Sequence, residues 1–339
     1  MGSQVLIADL HLTDNPADEY RWGLFPWLQD KIRQLPGGTK TGIILGDLTD
    51  AKDRHSAKLV NRVVDNIVGL YRAGLQSIII LRGNHDGLDD SVAYFEFLKH
   101  FPYIDVITKP VIQRLDLRNV AFLPHTRKPA QDWALIELGS VPYIFMHATV
   151  EGAEAETGRA LTGDQSINFL QDYKAKIYSG DVHVPQKIGN ITYVGAPYPI
   201  RFGDKYKGRV LVLDGTKQYE WNYEAPQKRV IRISNLDDLK TKIQANHGDQ
   251  VKFEVMLGKE SLHDWPQITS AVNKWCVTNG VTLSGTQLVK KAGLKLKNRE
   301  PSVAPLTSDD AMKKYIGKSQ IGEERAKVGL KLLKRAKSA

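Results

Sequence analysis

Residues 77–86 read SIIILRGNHD, an apolar run that gives way after Gly83 to three polar side chains in a row, Asn84, His85 and Asp86. Ser77–Leu81 is too continuously apolar for a half-exposed edge and reads as a buried strand. Its polar terminus has to be satisfied somewhere, and the glycine ahead of it lets the backbone turn tightly. The same pattern extends outward in both directions. Val5–Ala8, Thr41–Leu45, Val120–Leu123, Tyr143–Met146 and Lys176–Tyr178 read as further buried strands. Between them, Tyr20–Gln34 and Ser56–Ala73 carry apolar residues at helical spacing, with Leu59, Val63, Ile67, Leu70 and Tyr71 in the second. This alternation predicts a layered α/β domain, in which ligands bind outside the carboxyl ends of strands.

Potential ligands stand at those strand ends in five segments. They are Asp9-Leu10-His11, Gly46-Asp47-Leu48-Thr49-Asp50, Gly83-Asn84-His85-Asp86, His147 after Ile144-Phe145-Met146, and Gly180-Asp181-Val182-His183. Taken singly, an Asp-x-His or a Gly-Asp is ordinary turn chemistry. Five in succession, each behind a strand, are harder to ascribe to turns. Imidazole and carboxylate together suit Mn, Fe, Zn or a similar divalent ion. Two such ions supply what phosphodiester hydrolysis needs: a water acidic enough to attack at neutral pH, and positive charge on the non-bridging oxygens.

Elsewhere the sequence is less explicit. His125 follows a strand end, where a structural hydrogen bond competes with a place near the site. Arg54 and His55, just after the second segment, are candidate contacts to substrate phosphates, a solvent position at a helix start being the competing reading. After the strand-like Arg209–Leu213 and Gln218–Tyr223, a change near residue 225 opens a small α+β module. It comprises a strand Arg229–Ile233, a helix over about Leu236–Asn246 capped by Ser234 or Asn235, a strand Gln250–Leu257 and a helix over about Trp265–Asn279. From about residue 294 a Pro-containing linker leads into Lys-rich amphipathic helices. The boundaries are therefore 1–224, 225–293 and 294–339.

The net charge of +9 is concentrated in that tail, where residues 295–339 hold 12 Lys or Arg against 5 Asp or Glu, a net +7. The 42% hydrophobic and 25% charged content sits close to the average of globular proteins and suggests neither disorder nor a fibrous repeat. No run approaches the roughly 18 apolar residues of a membrane span. The single cysteine, Cys276, forms no intramolecular disulfide and excludes a Cys-based zinc cluster. A reducing compartment, the cytoplasm, is expected, and a bacterial or bacteriophage origin is compatible with the compact size.

The ordered set Asp-x-His, Gly-Asp, Gly-Asn-His-Asp, lone His and a final x-His resembles the signature of the calcineurin-like metallophosphoesterases, over about residues 5–185. Closer similarity to SbcD/Mre11-type DNA nucleases comes from Gly46–Asp50, from Val182-His183-Val184-Pro185-Gln186, and from Tyr193-Val194-Gly195-Ala196-Pro197 leading to Arg201-Phe202-Gly203-Asp204. The resemblance implies a two-sheet α/β sandwich core, with the α+β module as a cap and a helical C-terminal tail. It implies one ion held by Asp9, His11, Asp47 and His183, and a second held by Asp47, Asn84, His147 and residue 181. Asp47 would bridge, His85 would act on the scissile phosphate, and Asp86 would orient His85 through its ring nitrogen. At 181 the family usually has histidine; Asp181 here shifts the expected preference toward Mn, with Mg the alternative. The resemblance further implies DNA as substrate, docking of the tail on a Rad50/SbcC-type ATPase, a homodimer, and host cytoplasm if the gene is a phage's. A stand-alone phosphodiesterase or phosphatase and a non-catalytic DNA-binding scaffold are the competing readings.

Overall fold

The structure, a computed structural model, describes residues 2–90, 92–241, 243–257, 263–290 and 328. Residues Met1–Val289 form one compact unit and Lys290–Ala339 a second. The tail helices expected over 294–339 thus lie outside the described residues apart from Val328, which is helical and exposed.

Two six-stranded sheets make the core. The first runs β12 (Lys217–Trp221), β11 (Val210–Asp214), β1 (Ser3–Ile7), β2 (Lys40–Ile44), β3 (Ser77–Leu81), β4 (Ile104–Ile107). The second runs β5 (Val111–Leu115), β6 (Arg118–Leu123), β7 (Tyr143–His147), β8 (Lys176–Gly180), β10 (Ile191–Tyr193), β9 (Gln186–Ile188). β1 through β4 are parallel, as are β6, β7 and β8. All six core strands expected from the apolar runs are present.

The unbroken apolar character follows from burial on both faces, because successive side chains of a strand point to opposite sides. Leu6, Ala8, Ile43, Leu45, Ile79 and Leu81 meet Val120, Phe122, Phe145 and Tyr178 between the sheets. Their neighbours Val5, Ile7, Ile44, Ile78 and Ile80 face outward onto α1 (Leu24–Gln34) and α2 (Ala57–Arg72), through Leu24, Phe25, Leu28 and Ile32 and through Leu59, Val63, Ile67 and Leu70. Each such Leu or Ile contributes about 1.5–3 kcal/mol relative to an exposed one. α2 begins where Ser56 Oγ accepts from the Leu59 amide at 3.0 Å, an N-cap that fixes the helix start one turn beyond the second ligand segment.

A three-stranded sheet, β13 (Lys228–Ile233), β14 (Gln250–Leu257) and β15 (Thr282–Lys290), carries the helix Trp265–Asn279 on one face through Ile268, Val272 and Cys276. That helix matches the sequence expectation. The helix expected over 236–246 is reduced to a turn at Asp238–Thr241, which Asn235 Oδ1 caps by accepting from Asp238 N at 3.0 Å. Lys228 Nζ moors the small sheet to the core, donating to Asp18 Oδ1 at 2.6 Å and to Ile200 O at 3.2 Å.

Candidate metal centre

The carboxyl ends of β1, β2, β3, β7 and β8 converge. Asp9 and His11 leave β1, Asp47 leaves β2, Asn84 and His85 leave β3, His147 ends β7, and Asp181 and His183 leave β8. Four of these turn in the left-handed region that L residues avoid: Asp9 at φ 52°, His11 at 43°, Asp47 at 54° and Asp181 at 78°. Among the described residues Asp116 is the one other non-glycine with positive φ. Backbone strain of this kind costs of order 1–3 kcal/mol per residue and collects where side chains must be aimed. Room is made by glycine. Gly46 sits at φ 87°, and a Cβ there would stand 2.8 Å from Gly83 Cα, 2.9 Å from His147 Cε1 and closer still to His147 Nδ1.

The side chains meet around Asp47. His11 Nε2 lies 3.4 Å from Asp47 Oδ2, and His147 Nε2 lies 3.5 Å from Asp47 Oδ1, so the carboxylate presents one oxygen to each side. On the first side, Asp9, His11 and His183 bring their ligand atoms within 4.8 Å of one another. On the second, Asp181 Oδ1 is 3.7 Å from His147 Nε2 and accepts from Asn84 Nδ2 at 3.3 Å. All seven expected ligands are brought together. An open cleft of about 240 Å³ runs over five of them, His11, Asp47, Asn84, Asp181 and His183, walled also by Glu156, Leu161 and Arg201.

Hydrogen-bond accounting bears on what belongs there. Asp9 Oδ2, Asn84 Oδ1 and His147 Nε2 are buried without a partner, although buried polar atoms are normally satisfied. His147 Nδ1 lies 2.6 Å from the Leu45 carbonyl, which can only accept, so Nδ1 carries a proton and Nε2 is the atom that offers a lone pair once a cation displaces its own proton. His11 and His183 face one another with their Nε2 atoms 3.1 Å apart. Their Nδ1 atoms look toward Asp50 Oδ1 at 3.4 Å and Glu156 Oε1 at 3.3 Å, off the ideal hydrogen-bond line. The pair is a hydrogen bond when one Nε2 carries a proton; with both ring protons on Nδ1, beside the carboxylates, two lone pairs oppose each other across a position that suits a cation. The donor set fits divalent ions at both positions.

Titration points the same way. Burial pushes Asp9 up to about 7, against the pull of His147 and His183. Burial would also raise Asp47, but His147, His11 and His85 outweigh it and hold that carboxyl below its ordinary value. For His147, burial favours the neutral ring, yet Asp47, Asp181 and Asp9 push it up to about 9. Asp9 and His147 thus hold protons that a bound cation would displace.

Asp86 requires a correction. It does not touch the His85 ring. Its buried carboxylate accepts from Asp47 N at 2.9 Å, Leu48 N at 2.9 Å and Gly83 N at 2.7 Å, so it ties the β2 and β3 loops together. His85 is oriented instead by the Asp50 carbonyl, 2.6 Å from Nδ1. The main-chain amides that Asp86 reaches are invisible in a motif of side chains. Neither Arg54 nor His55 lines the cleft. His55 is engaged in the fold, its Nε2 2.8 Å from Thr49 Oγ1 and its ring 4.0 Å from that of Tyr94, while Arg54 is exposed. His125 stands beside the centre, its ring 6.1 Å from that of His147, and burial lowers it to about 4. Thr149, Glu156 and Arg201 also line the cleft; the first two lie in a segment of ordinary loop composition that carries no signal in the sequence, and Arg201 stands there only within a motif, without a role.

Comparison with known proteins agrees with this geometry. The family model of calcineurin-like phosphoesterases matches residues 4–185. Exonuclease subunit 1 of Enterobacteria phage T4 is 26% identical over 210 residues, which is 59% of this chain and 60% of that protein. The chain thus spans about three fifths of the length of this curated relative. With more than half of its residues under the family model, and the ligand atoms of the motif gathered at one end of two sheets, the chain belongs to the calcineurin-like phosphoesterases.

Proposed function

We propose that the chain is a metal-dependent nuclease subunit that hydrolyses DNA phosphodiesters at the β1–β2–β3–β7–β8 strand ends. The carrying observation is the set of buried, unpartnered ligand atoms, Asp9 Oδ2, Asn84 Oδ1 and His147 Nε2, arranged about a carboxylate that offers an oxygen to each side. One position would be held by Asp9, His11, Asp47 and His183, the other by Asp47, Asn84, His147 and Asp181. Two divalent ions held there would supply a water acidic enough to attack at neutral pH and positive charge for the phosphoryl oxygens. Manganese is the expected ion, since carboxylate and carbonyl-type oxygens make up much of the shell.

The rest of the chemistry belongs to the protein. His85 lines the cleft, and its Nδ1 proton is committed to the Asp50 carbonyl, so Nε2 is the atom offered to substrate. Protonated, it donates to the phosphate or to the leaving oxygen; neutral, it accepts. Arg201 at the cleft wall, exposed and cationic, suits a non-bridging oxygen of a flanking phosphate. Nothing in the ligand shell selects DNA over another phosphodiester. That choice is supported by the T4 relative, an exonuclease subunit by name, and by the basic 295–339 segment. The relative's name also supports a chain that works within an assembly. The proposed partner is a Rad50/SbcC-type ATPase reached through residues 294–339, with the 225–293 module as a cap, a second copy as dimer partner and the cytoplasm, or a host's, as the setting. Among the described residues no helix is long and apolar enough to cross a membrane.

The test is a manganese-dependent assay offering labelled linear duplex DNA beside a chromogenic phosphodiester, with Asp47→Asn and His85→Ala as controls. Duplex cleavage lost in both variants is the expected result. Turnover of the chromogenic ester alone would move the chain to a small-molecule phosphodiesterase, and cleavage retained in both variants would exclude this site.

A further inference from the structure

Two polar side chains on the segment after β7 reach back to the two ligands that follow β8. Thr149 Oγ1 donates to Asp181 Oδ2 at 2.6 Å, and Glu156 Oε1 stands 3.3 Å from His183 Nδ1. We infer that Thr149 and Glu156 are positioning residues, Thr149 aiming Asp181 at one ion and Glu156 aiming His183 at the other. The inference rests on the two-ion reading above and concerns how this chain serves it.

The two ligands need different help. A carboxylate in place of the usual histidine at 181 has two equivalent oxygens on a short rotor, and can turn or chelate in several ways. Occupying Oδ2 with the Thr149 hydroxyl leaves a single oxygen, Oδ1, on the side of His147 and Asn84. At 183 the question is which ring nitrogen holds the proton. A carboxylate beside Nδ1 draws it there and leaves the Nε2 lone pair facing the first position, the arrangement by which carboxylates orient metal-bound histidines.

The segment is also built to hold still. Gln186, directly after the Val184-Pro185 pair, grips the Glu154 backbone from both sides, its Oε1 accepting from Glu154 N at 2.9 Å and its Nε2 donating to Glu154 O at 2.8 Å. Ala155 N donates to Arg159 O at 2.8 Å and Leu161 N to Ala153 O at 2.7 Å, which closes a small hairpin around Glu156. At its root the buried Tyr193 hydroxyl accepts from Val150 N at 2.9 Å and donates to Ala148 O at 3.2 Å. An incidental surface contact would leave the acid in solvent; the Glu156 side chain is 14% exposed and that of His183 11%.

The experiment titrates Mn²⁺ into the full-length chain and counts free ion by electron paramagnetic resonance. Wild type should bind two ions. Thr149→Val, which removes the hydroxyl at nearly constant shape, should weaken one of them by 10–100-fold, about what orienting partners contribute, and Thr149→Ser should restore it. Glu156→Gln should weaken the other by roughly tenfold or more. In an Asp181→His background, Thr149→Val should cost no further affinity, whereas a merely structural threonine would lose as much in both backgrounds. The metal-free circular dichroism spectrum of each variant verifies that it folds. Either variant binding both ions as tightly as wild type overturns that residue's assignment while leaving the two-ion reading standing. A wild type that binds no manganese overturns both.

Discussion

Replacing Gly46 by alanine should damage the fold and the metal centre together, and Gly74 supplies the control. Both glycines have left-handed φ, 87° and 121°, so an alanine at either incurs backbone strain of about 1–2 kcal/mol. At Gly74, where α2 turns toward the amino end of β3, an added Cβ meets nothing within 4 Å. At Gly46 it is driven into the His147 ring and the Gly83 backbone. Moving that imidazole sacrifices the Nδ1 bond to the Leu45 carbonyl, about 1 kcal/mol, and overpacking adds about 1–3 kcal/mol. Gly46→Ala should therefore cost about 3–6 kcal/mol against about 1–2 for Gly74→Ala. Thermal unfolding in EDTA reads the difference, at roughly 2–4 °C per kcal/mol. Manganese titration reads the second consequence: Gly74→Ala binds as wild type, while Gly46→Ala loses at least tenfold at the position that takes His147. Equal thermal losses with unaltered manganese affinity would refute the reasoning.

Three further outcomes follow from the site. His85→Gln should leave manganese binding within about twofold and lower turnover by about 10²–10⁴-fold, the usual worth of a positioned acid or base; a loss of bound ion would make His85 a ligand instead. Asp86→Ala should strip three backbone amides of their acceptor and lower stability by at least about 3 kcal/mol in EDTA, with manganese affinity falling because the Asp47 loop is freed; a loss of turnover at unchanged stability would return Asp86 to the role of orienting His85. For pH, His147 in the ion-free fold sits near 9, above its unfolded value of about 6.5, so its stabilising contribution is complete below 6.5 and lost as pH rises through 9. Asp9, raised to about 7, has already lost its contribution between about 4 and 7. The melting temperature in EDTA should thus fall from pH 7 to 9, and saturating manganese, which displaces these protons, should reverse the trend; a rise in EDTA over that window would contradict the charge balance described.

Much of this arrangement was legible because it depends on short-range rules. Unbroken apolar runs such as Ser77–Leu81 predict strands covered on both faces, and strand-end polar segments then predict where Asp9, Asp47, Asn84, His147 and Asp181 meet. The misses arise where a distant partner decides. A helix is expected over about Leu236–Asn246 behind the Ser234 or Asn235 cap, but Leu236 stays exposed and Asp249 takes the Asn246 and Gln227 amides at 2.9 and 2.8 Å, holding that end as a turn. Asp86 looked like a partner for the histidine beside it in the chain, yet its acceptors serve backbone amides up to 39 residues away. Thr149 and Glu156 could not be found because their significance is the 2.6 Å and 3.3 Å approach to ligands more than 25 residues on, a product of β7 and β8 lying side by side. Residue 225 lies between β12 and β13, inside the compact unit Met1–Val289.

The central claim is that Asp47 lies between two cations. A crystal soaked in manganese and measured at an energy where manganese scatters anomalously should give two peaks about 3.5–4 Å apart, one beside His11 and His183, the other beside His147 and Asp181, with an Asp47 oxygen on each. A single peak, or a pair that does not share Asp47, would contradict it.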